Sequence, residues 1–465
     1  MSYTDPLFLA IAAVVTAMLL VLLFVDHSYE RVSAGGPSVA RPPWRGVLGL
    51  TAVAPLPIGG FAFPFSTLVA LPILAMPSQT RWSRLTKLIP LASVLGLMVM
   101  LVSAMVQAVA LPTPTLFALG AFTLFFVTAV KSCPGQDEAA QLLAWVSVAT
   151  TCFYLVFDVT RTDTLPHLWK YGIGPSVVVL AVYLACRRFG TWAAALTLVG
   201  LAGVSVGLGF RSFGLICLMS AIVTLLFKRR GIHRSTLIVR LVATGGAVWL
   251  LSWGLPALIN AGAFGQEVRR RTLSEDIAGV SPLLAGRVEP PLSLAAIAAK
   301  PLFGWGNADA IDQHTLTAGS EIASKLGMTS PSLYIDLWRR GDGRISLHSI
   351  LFESWAQGGI AAAVLPVLLG VVFVAAIVSV QGRYSPLVVL VSVQCLWDLV
   401  FSPWNHNRPI IFAVCSLLAC HAMRGPEGTD GERGSGLIPG TLAAETRRQS
   451  AKMHRVLARP TGHRW

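Results

Sequence analysis

Apolar stretches of about 20 residues, the length a helix needs to cross the hydrocarbon core of a bilayer, recur along most of this chain. Residues 6–25 (PLFLAIAAVVTAMLLVLLFV), 86–109 (TKLIPLASVLGLMVMLVSAMVQAV) and 139–159 (AAQLLAWVSVATTCFYLVFDV) are examples. In lipid, unpaired backbone groups cost several kcal/mol each, so such stretches are read as helices. Only 12% of the residues are charged, against roughly a quarter in a soluble domain. The expected fold is an all-α polytopic integral membrane protein. The first apolar stretch lacks a basic leader and a small-residue cleavage pattern, so it is read as a retained span. The seven cysteines fall nearly all in apolar segments, without the spacing of a zinc site or a disulfide framework.

The formal net charge of +14 is distributed as a topology signal rather than as a nucleic-acid surface. Arg and Lys gather in short connections, TRWSR (80–84), CRRFG (186–190) and FKRRGIHRS (227–235), and in the tail 425–465. Basic loops of this kind stay on the cytoplasmic side. Spans are expected near 6–25, 61–76, 86–109, 111–131, 139–159, 171–186, 189–208, 212–227, 237–258, 350–379, 386–402 and 408–424, about twelve in all. The proline-containing stretch 46–59 is a further span or a broken half-span. This divides the chain into N-terminal membrane helices (1–258), a long loop (259–348), C-terminal membrane helices (349–424) and a basic cytoplasmic tail (425–465). The loop falls on the extracytoplasmic face. At some ninety residues it is unusually long, and its apolar pieces, such as PPLSLAAIAAKPLF (290–303), point to a small helical cap.

Ionisable groups at the edges of spans are expensive, and four stand out. Arg211 sits in VGLGFRSFGLICLMS, at an outward end where the basic-loop rule does not place it. Arg287 sits in the outer loop, His348 opens the span after it, and Asp398 precedes the last outward turn. Each has a bland alternative: lipid snorkelling for Arg211, a helix cap for His348, an unremarkable loop arginine for Arg287, and an ion pair with Arg408 for Asp398. The topology brings all four to one face. Two guanidiniums, an imidazole and the start of a helix there suit a polyanionic ligand with a lipid tail. Asp309, Asp312 and His314 in NADAIDQH have no recognisable metal-ligand spacing and are read as solvated loop residues, so no metal or other cofactor is expected.

These residues match motifs of a known family. His348 and Ser349 are followed by nine residues and then Gly359, with Ala362 where the second glycine of a Gly-x-x-Gly pair is usual. AGR (285–287) precedes an amphipathic helix and PLFGWG (301–306), and FRSFG (210–214) opens a span. In this order, over roughly 200–424, the chain resembles the O-antigen ligase and O-antigen polymerase superfamily of bacterial polysaccharide assembly. The resemblance implies a multi-pass enzyme of the bacterial inner membrane. It would move a glycan from undecaprenyl diphosphate to a sugar hydroxyl, on another glycan or on lipid A-core, without metal or nucleotide sugar. By position, Arg211 and Arg287 would hold the diphosphate and stabilise it as a leaving group, and His348 would handle the acceptor proton. Ser349, Gly359 and Asp398 complete the implied binding set, with Gly358 and Gly359 allowing close approach of a helix or lipid chain. Other polysaccharide-assembly proteins are implied partners; no nucleic acid is. The motifs do not separate ligase from polymerase, although nothing marks a lipid A-core acceptor. A transporter or flippase for lipid-linked saccharides is the competing reading, disfavoured by the lack of repeated halves.

Overall fold

A computed structural model describes residues 44–58, 61–75, 82–157, 164–227, 289–328, 347–404 and 407–424, with short pieces between 239 and 270 and between 335 and 345. Helix α1 (Trp44–Leu50) leads into an antiparallel hairpin, β1 (Pro55–Ile58) and β2 (Phe61–Pro64), with Ile58 opposite Phe61, and then into α2 (Ser66–Ala75). Long helices follow: α3 (Arg84–Val106), α4 (Thr113–Ser132) and α5 (Gln136–Phe157). A short turn α6 (Leu165–Leu168) runs through a π-helical turn, Trp169–Ile173, into α7 (Gly174–Arg188). Next come α8 (Thr191–Gly207), α9 (Arg211–Phe227), α10 (Pro290–Ala299) and α11 (Gln313–Lys325). The last four are α12 (Ile350–Ala362), α13 (Val364–Ser379), α14 (Ser385–Phe401) and α15 (Arg408–Met423).

Four of these helical stretches, 84–106, 113–132, 136–156 and 165–188, are long and apolar enough to cross a membrane. The bent pair α12–α13 raises the number to five. That is a helical membrane protein, with fewer full-length spans among the described residues than the twelve expected. Helices α8, α9, α14 and α15 are apolar but only 16 or 17 residues long, about 25 Å against a core of about 30 Å. The expected span at 6–25 and the tail lie outside the described residues, as does most of the expected span at 237–258.

Helix α3 shows why these sequences suit lipid. Leu88, Leu91, Leu95, Met98, Val102 and Met105 recur every three or four residues and are exposed, while Ile89, Ala92, Met100 and Ser103 on the other face are buried. An exposed stripe this apolar fits a hydrocarbon solvent. Helix α15 is buried all round, from Ile410 to Ala422 apart from Ile411, as expected of a central helix. Phe412 packs on Phe373 of α13 and on Trp404, at centroid distances of 6.0 and 5.6 Å.

Two expected spans are corrected. Residues 44–58 and 61–75 form the α1–hairpin–α2 element, which enters and leaves the bundle at one end, so that 61–76 holds a ten-residue helix rather than a full span and 46–59 is broken. Arg45 donates to Gln141 near the start of α5 (3.3 Å), and Lys131 at the end of α4 donates to the Leu74 carbonyl (2.5 Å). Only residues 133–135 separate α4 from α5, so both anchors mark the same end. The physical cause is local: prolines at 55, 57 and 64 cannot continue a helix. Residues 350–379 are likewise two helices, bent by 106°, rather than one straight span.

The ends of the bundle follow from a few contacts. Arg383, in the turn before α14, donates to the Cys186 carbonyl at the end of α7 (3.1 Å), and Tyr183 stacks on Tyr384. Helices α8 and α14 therefore start at one end. Helix α9, joined to α8 by residues 208–210, starts at the opposite end, where α14 finishes. His421 of α15 meets the Cys133 carbonyl, 3.0 Å away, so α1 and α2 open on the Arg188 end. Arg45, Arg84, Lys131, Arg187, Arg188 and Arg383 all gather there. The opposite end carries a second core, in which Leu292, Ala296, Trp305, Leu316, Ala323, Trp338, Leu347 and Ala356 pack together. Helices α10 and α11 build this cap, and α12 lies beneath it.

Candidate functional site

His348 sits at the foot of the cap with φ +44°, a left-handed conformation that side chains other than glycine rarely adopt. Such strain persists where the surroundings over-determine it, and here both following residues are pinned to the end of α14. The Ser349 hydroxyl accepts from the Phe352 amide (3.1 Å), capping α12, and donates to the Leu399 carbonyl (3.1 Å). The Ile350 amide donates to the Ser402 carbonyl (2.8 Å). The imidazole is partly exposed, and its Nδ1 lies 3.1 Å from Oε1 of Glu289. Both groups line a small, open recess whose apolar walls include Leu347, Phe352, Val400 and Phe401.

The second part of the site is an exchange of backbone hydrogen bonds. Gly359, at φ +71° and ψ −169°, breaks the helix inside α12. In an unbroken helix the Ile360 amide would donate to the Ala356 carbonyl; here it donates to the Pro301 carbonyl (3.0 Å). The Ala356 carbonyl accepts from the Trp305 amide (2.7 Å), and the Gln357 carbonyl from the Gly306 amide (2.8 Å). PLFGWG thus supplies the partners that the broken helix lacks. From α3, Ser103 donates to the Phe303 carbonyl (2.6 Å) and Gln107 to the Gly304 carbonyl (2.7 Å). Lys300 donates to Oε1 of Gln107 (2.6 Å) and lies over the Trp305 ring. The glycine pair divides its work. A Cβ on Gly358 would meet Met100 of the neighbouring α3, while one on Gly359 would meet the backbone of Leu302 and Phe303 in the cap. Gly359 is therefore a backbone device rather than a ligand-facing position.

The remaining candidates separate. Arg211 opens α9 at the same end of the bundle as His348, by the helix directions above. Arg287 lies outside the described residues, two positions before Glu289 in sequence. Asp398, expected among the ligand-binding residues, has both carboxylate oxygens engaged. Oδ1 pairs with Arg408 (2.5 Å) and accepts from the Ser402 hydroxyl (2.8 Å), and Oδ2 accepts from Gln394 (2.9 Å). Ser349, expected to touch ligand, is buried and committed at both its donor and its acceptor.

Asp309 and Asp312 also act on backbone. Asp309 accepts from the Ile345 amide (2.7 Å), and Asp312 caps α11 by accepting from the Thr315 amide (2.8 Å). That amide, followed by the Thr315 hydroxyl, holds the Asp312 carboxyl below the ordinary aspartate range. Among the described residues, no three His, Cys, Asp or Glu side chains come together as a metal site.

Sequence reasoning missed Glu289, Ser103 and Gln107. A signal for Glu289 was present: an acidic residue directly before Pro290–Pro291 stands at a helix start. Ser103 and Gln107, one helical turn apart in an apolar span, carried no signal beyond their polarity. The chain matches no family model, no curated protein and no solved structure.

Proposed function

We propose that this protein is a membrane glycosyltransferase that moves a glycan from undecaprenyl diphosphate to an acceptor sugar hydroxyl at the extracytoplasmic face of a bacterial inner membrane. The observation that carries the reading is the partly exposed imidazole of His348, held in a strained conformation where it lines an apolar-walled recess. A side chain fixed in this way can serve as a general base for an acceptor hydroxyl. Arg211 at the same end of the bundle adds a permanent cation, and the ordered motifs around the cap agree with the family resemblance.

In this reaction the acceptor oxygen bonds to the anomeric carbon of the donor sugar. The bond from that carbon to the diphosphate breaks, and its electron pair leaves with the phosphate. The acceptor proton passes to His348. Arg211 and Arg287 stabilise the charge developing on the diphosphate, as guanidiniums do for phosphate oxygens. The acceptor is a second lipid-linked glycan, which makes the activity a polymerase; transfer to lipid A-core is the ligase alternative.

Purified protein in nanodiscs, given lipid-linked glycan and acceptor but no nucleotide sugar, tests the reading. Transfer by the wild type and its loss in His348→Gln, by about 10²-fold or more, is the expected result. Energy-dependent translocation without transfer identifies a transporter instead.

A further inference from the structure

We infer that Glu289 is the positioning residue for His348: its carboxylate holds the proton on Nδ1 and leaves the Nε2 lone pair to receive the acceptor proton. The inference rests on the proposed transferase reading for its chemistry, but not for its geometry. Three observations carry it.

The first is the contact itself, Nδ1 to Oε1 at 3.1 Å, with both residues lining the same recess. A carboxylate at neutral pH accepts but does not donate, so a neutral imidazole facing it carries its hydrogen on Nδ1. The other ring nitrogen is then an acceptor.

The second is where Glu289 stands. It occupies the N-cap position of α10, yet its side chain makes no capping hydrogen bond. A side chain there ordinarily accepts from the first-turn amides. Pro290 and Pro291 remove two of those donors, and the Glu289 carboxylate reaches His348 instead.

The third is that its backbone is held firmly. The Glu289 carbonyl accepts from the Ser293 amide (3.0 Å) and the Ser293 hydroxyl (3.1 Å). Leu292 and Ala296 of α10 pack into the cap core with Ala356 of α12. The carboxylate is carried by the cap and the imidazole by the start of α12, so the pair exists only when the cap is seated on α12. The exchange between PLFGWG and the Gly359 break provides that seating.

During transfer, the acceptor O–H bond breaks, its proton bonds to Nε2, and the imidazole becomes an imidazolium stabilised by the Glu289 carboxylate. Glu289 itself stays ionised and touches neither substrate.

The test is Glu289→Gln, with Glu289→Asp as the conservative variant. The ¹⁵N resonances of the imidazole are read in protein labelled at histidine, and His348→Gln identifies the resonances of His348. The amide of Glu289→Gln can donate to Nδ1, so the hydrogen is expected to move to Nε2. Transfer should fall by about 100-fold or more, with donor KM changed by less than about threefold. Glu289→Asp should recover part of the activity and keep the Nδ1–H signature. Retention of the Nδ1–H signature in Glu289→Gln overturns the proposal, as does full transfer by that variant with the hydrogen on Nε2. If the wild type transfers no glycan at all, the reaction reading fails. The resonances still decide whether Glu289 sets the tautomer.

Discussion

Gly359 lies so close to the Leu302 carbonyl that no Cβ fits between them. Its dihedral angles also belong to a region that only glycine occupies with ease. Gly359→Ala should therefore destabilise the protein by about 3 kcal/mol or more, through overlap and strain together. Gly382 has φ +90° but open space around it, so Gly382→Ala should cost only about 1–2 kcal/mol. Thermal unfolding of both variants in one detergent separates them. Equal midpoints would show that the cap backbone does not press on the break.

The Ser349 hydroxyl caps α12 and ties it to α14. Ser349→Ala should cost about 1–2 kcal/mol, the upper part of the range for a lost cap, because the residue is buried. An unchanged unfolding midpoint would remove the cap from the account of how His348 is held.

Asp398 and Arg408 make a partly buried pair. Breaking it leaves one charge uncompensated. Asp398→Ala should cost about 3 kcal/mol, the low end for such a loss, since Arg408 keeps a quarter of its side chain exposed. In the double variant with Arg408→Gln the losses should not add, and a double-mutant cycle measures the difference. Strict additivity would mean that the two residues act independently.

Much of the site is legible in the amino-acid sequence, but unevenly. His348, PLFGWG and the glycine pair announce themselves because backbone devices need particular residues at fixed spacings. The bend in 350–379 is also legible in principle: thirty residues of helix would run roughly 45 Å, far more than a bilayer requires. Hydropathy alone does not register a turn between two apolar helices, and so the stretch reads as one span. The hairpin at 55–64 is hidden for the same reason, although its prolines speak against a helix. Glu289 and Asp398 show the deeper obstacle. Both are acidic residues at helix ends, and which one meets His348 and which one meets Arg408 depends on partners distant in sequence.

The ends of the bundle give a topology test. Thr317 is exposed in the cap and Arg188 at the other end, and six of the seven cysteines are buried. Thr317→Cys should react with an impermeant thiol reagent added to intact cells, and Arg188→Cys only after permeabilisation. Labelling of both from outside would refute the orientation.

Asp312 gives a pH dependence. Its carboxyl is held below the ordinary range in the folded protein, so its contribution to stability is present above the unfolded value of about 3.9 and is lost as the pH falls through the folded value. The group is exposed at the surface, which keeps the effect under about 1 kcal/mol. The difference in unfolding midpoint between wild type and Asp312→Ala should be constant from pH 8 to 5 and shrink as the pH falls further. A difference that persists unchanged at the most acidic pH tolerated would assign the effect to packing.

The exchange of backbone partners at Gly359 also imposes an order on biogenesis. PLFGWG leaves the ribosome about fifty residues ahead of the break that it completes. Until that segment has folded, a straight helix offers the best partners, the Ala356 carbonyl for the Ile360 amide and the Ala361 amide for the Gln357 carbonyl. A nascent chain lacking residues 289–328 should therefore thread 350–379 through the insertion machinery as a single continuous span. The chain's own earlier segment is what later diverts it.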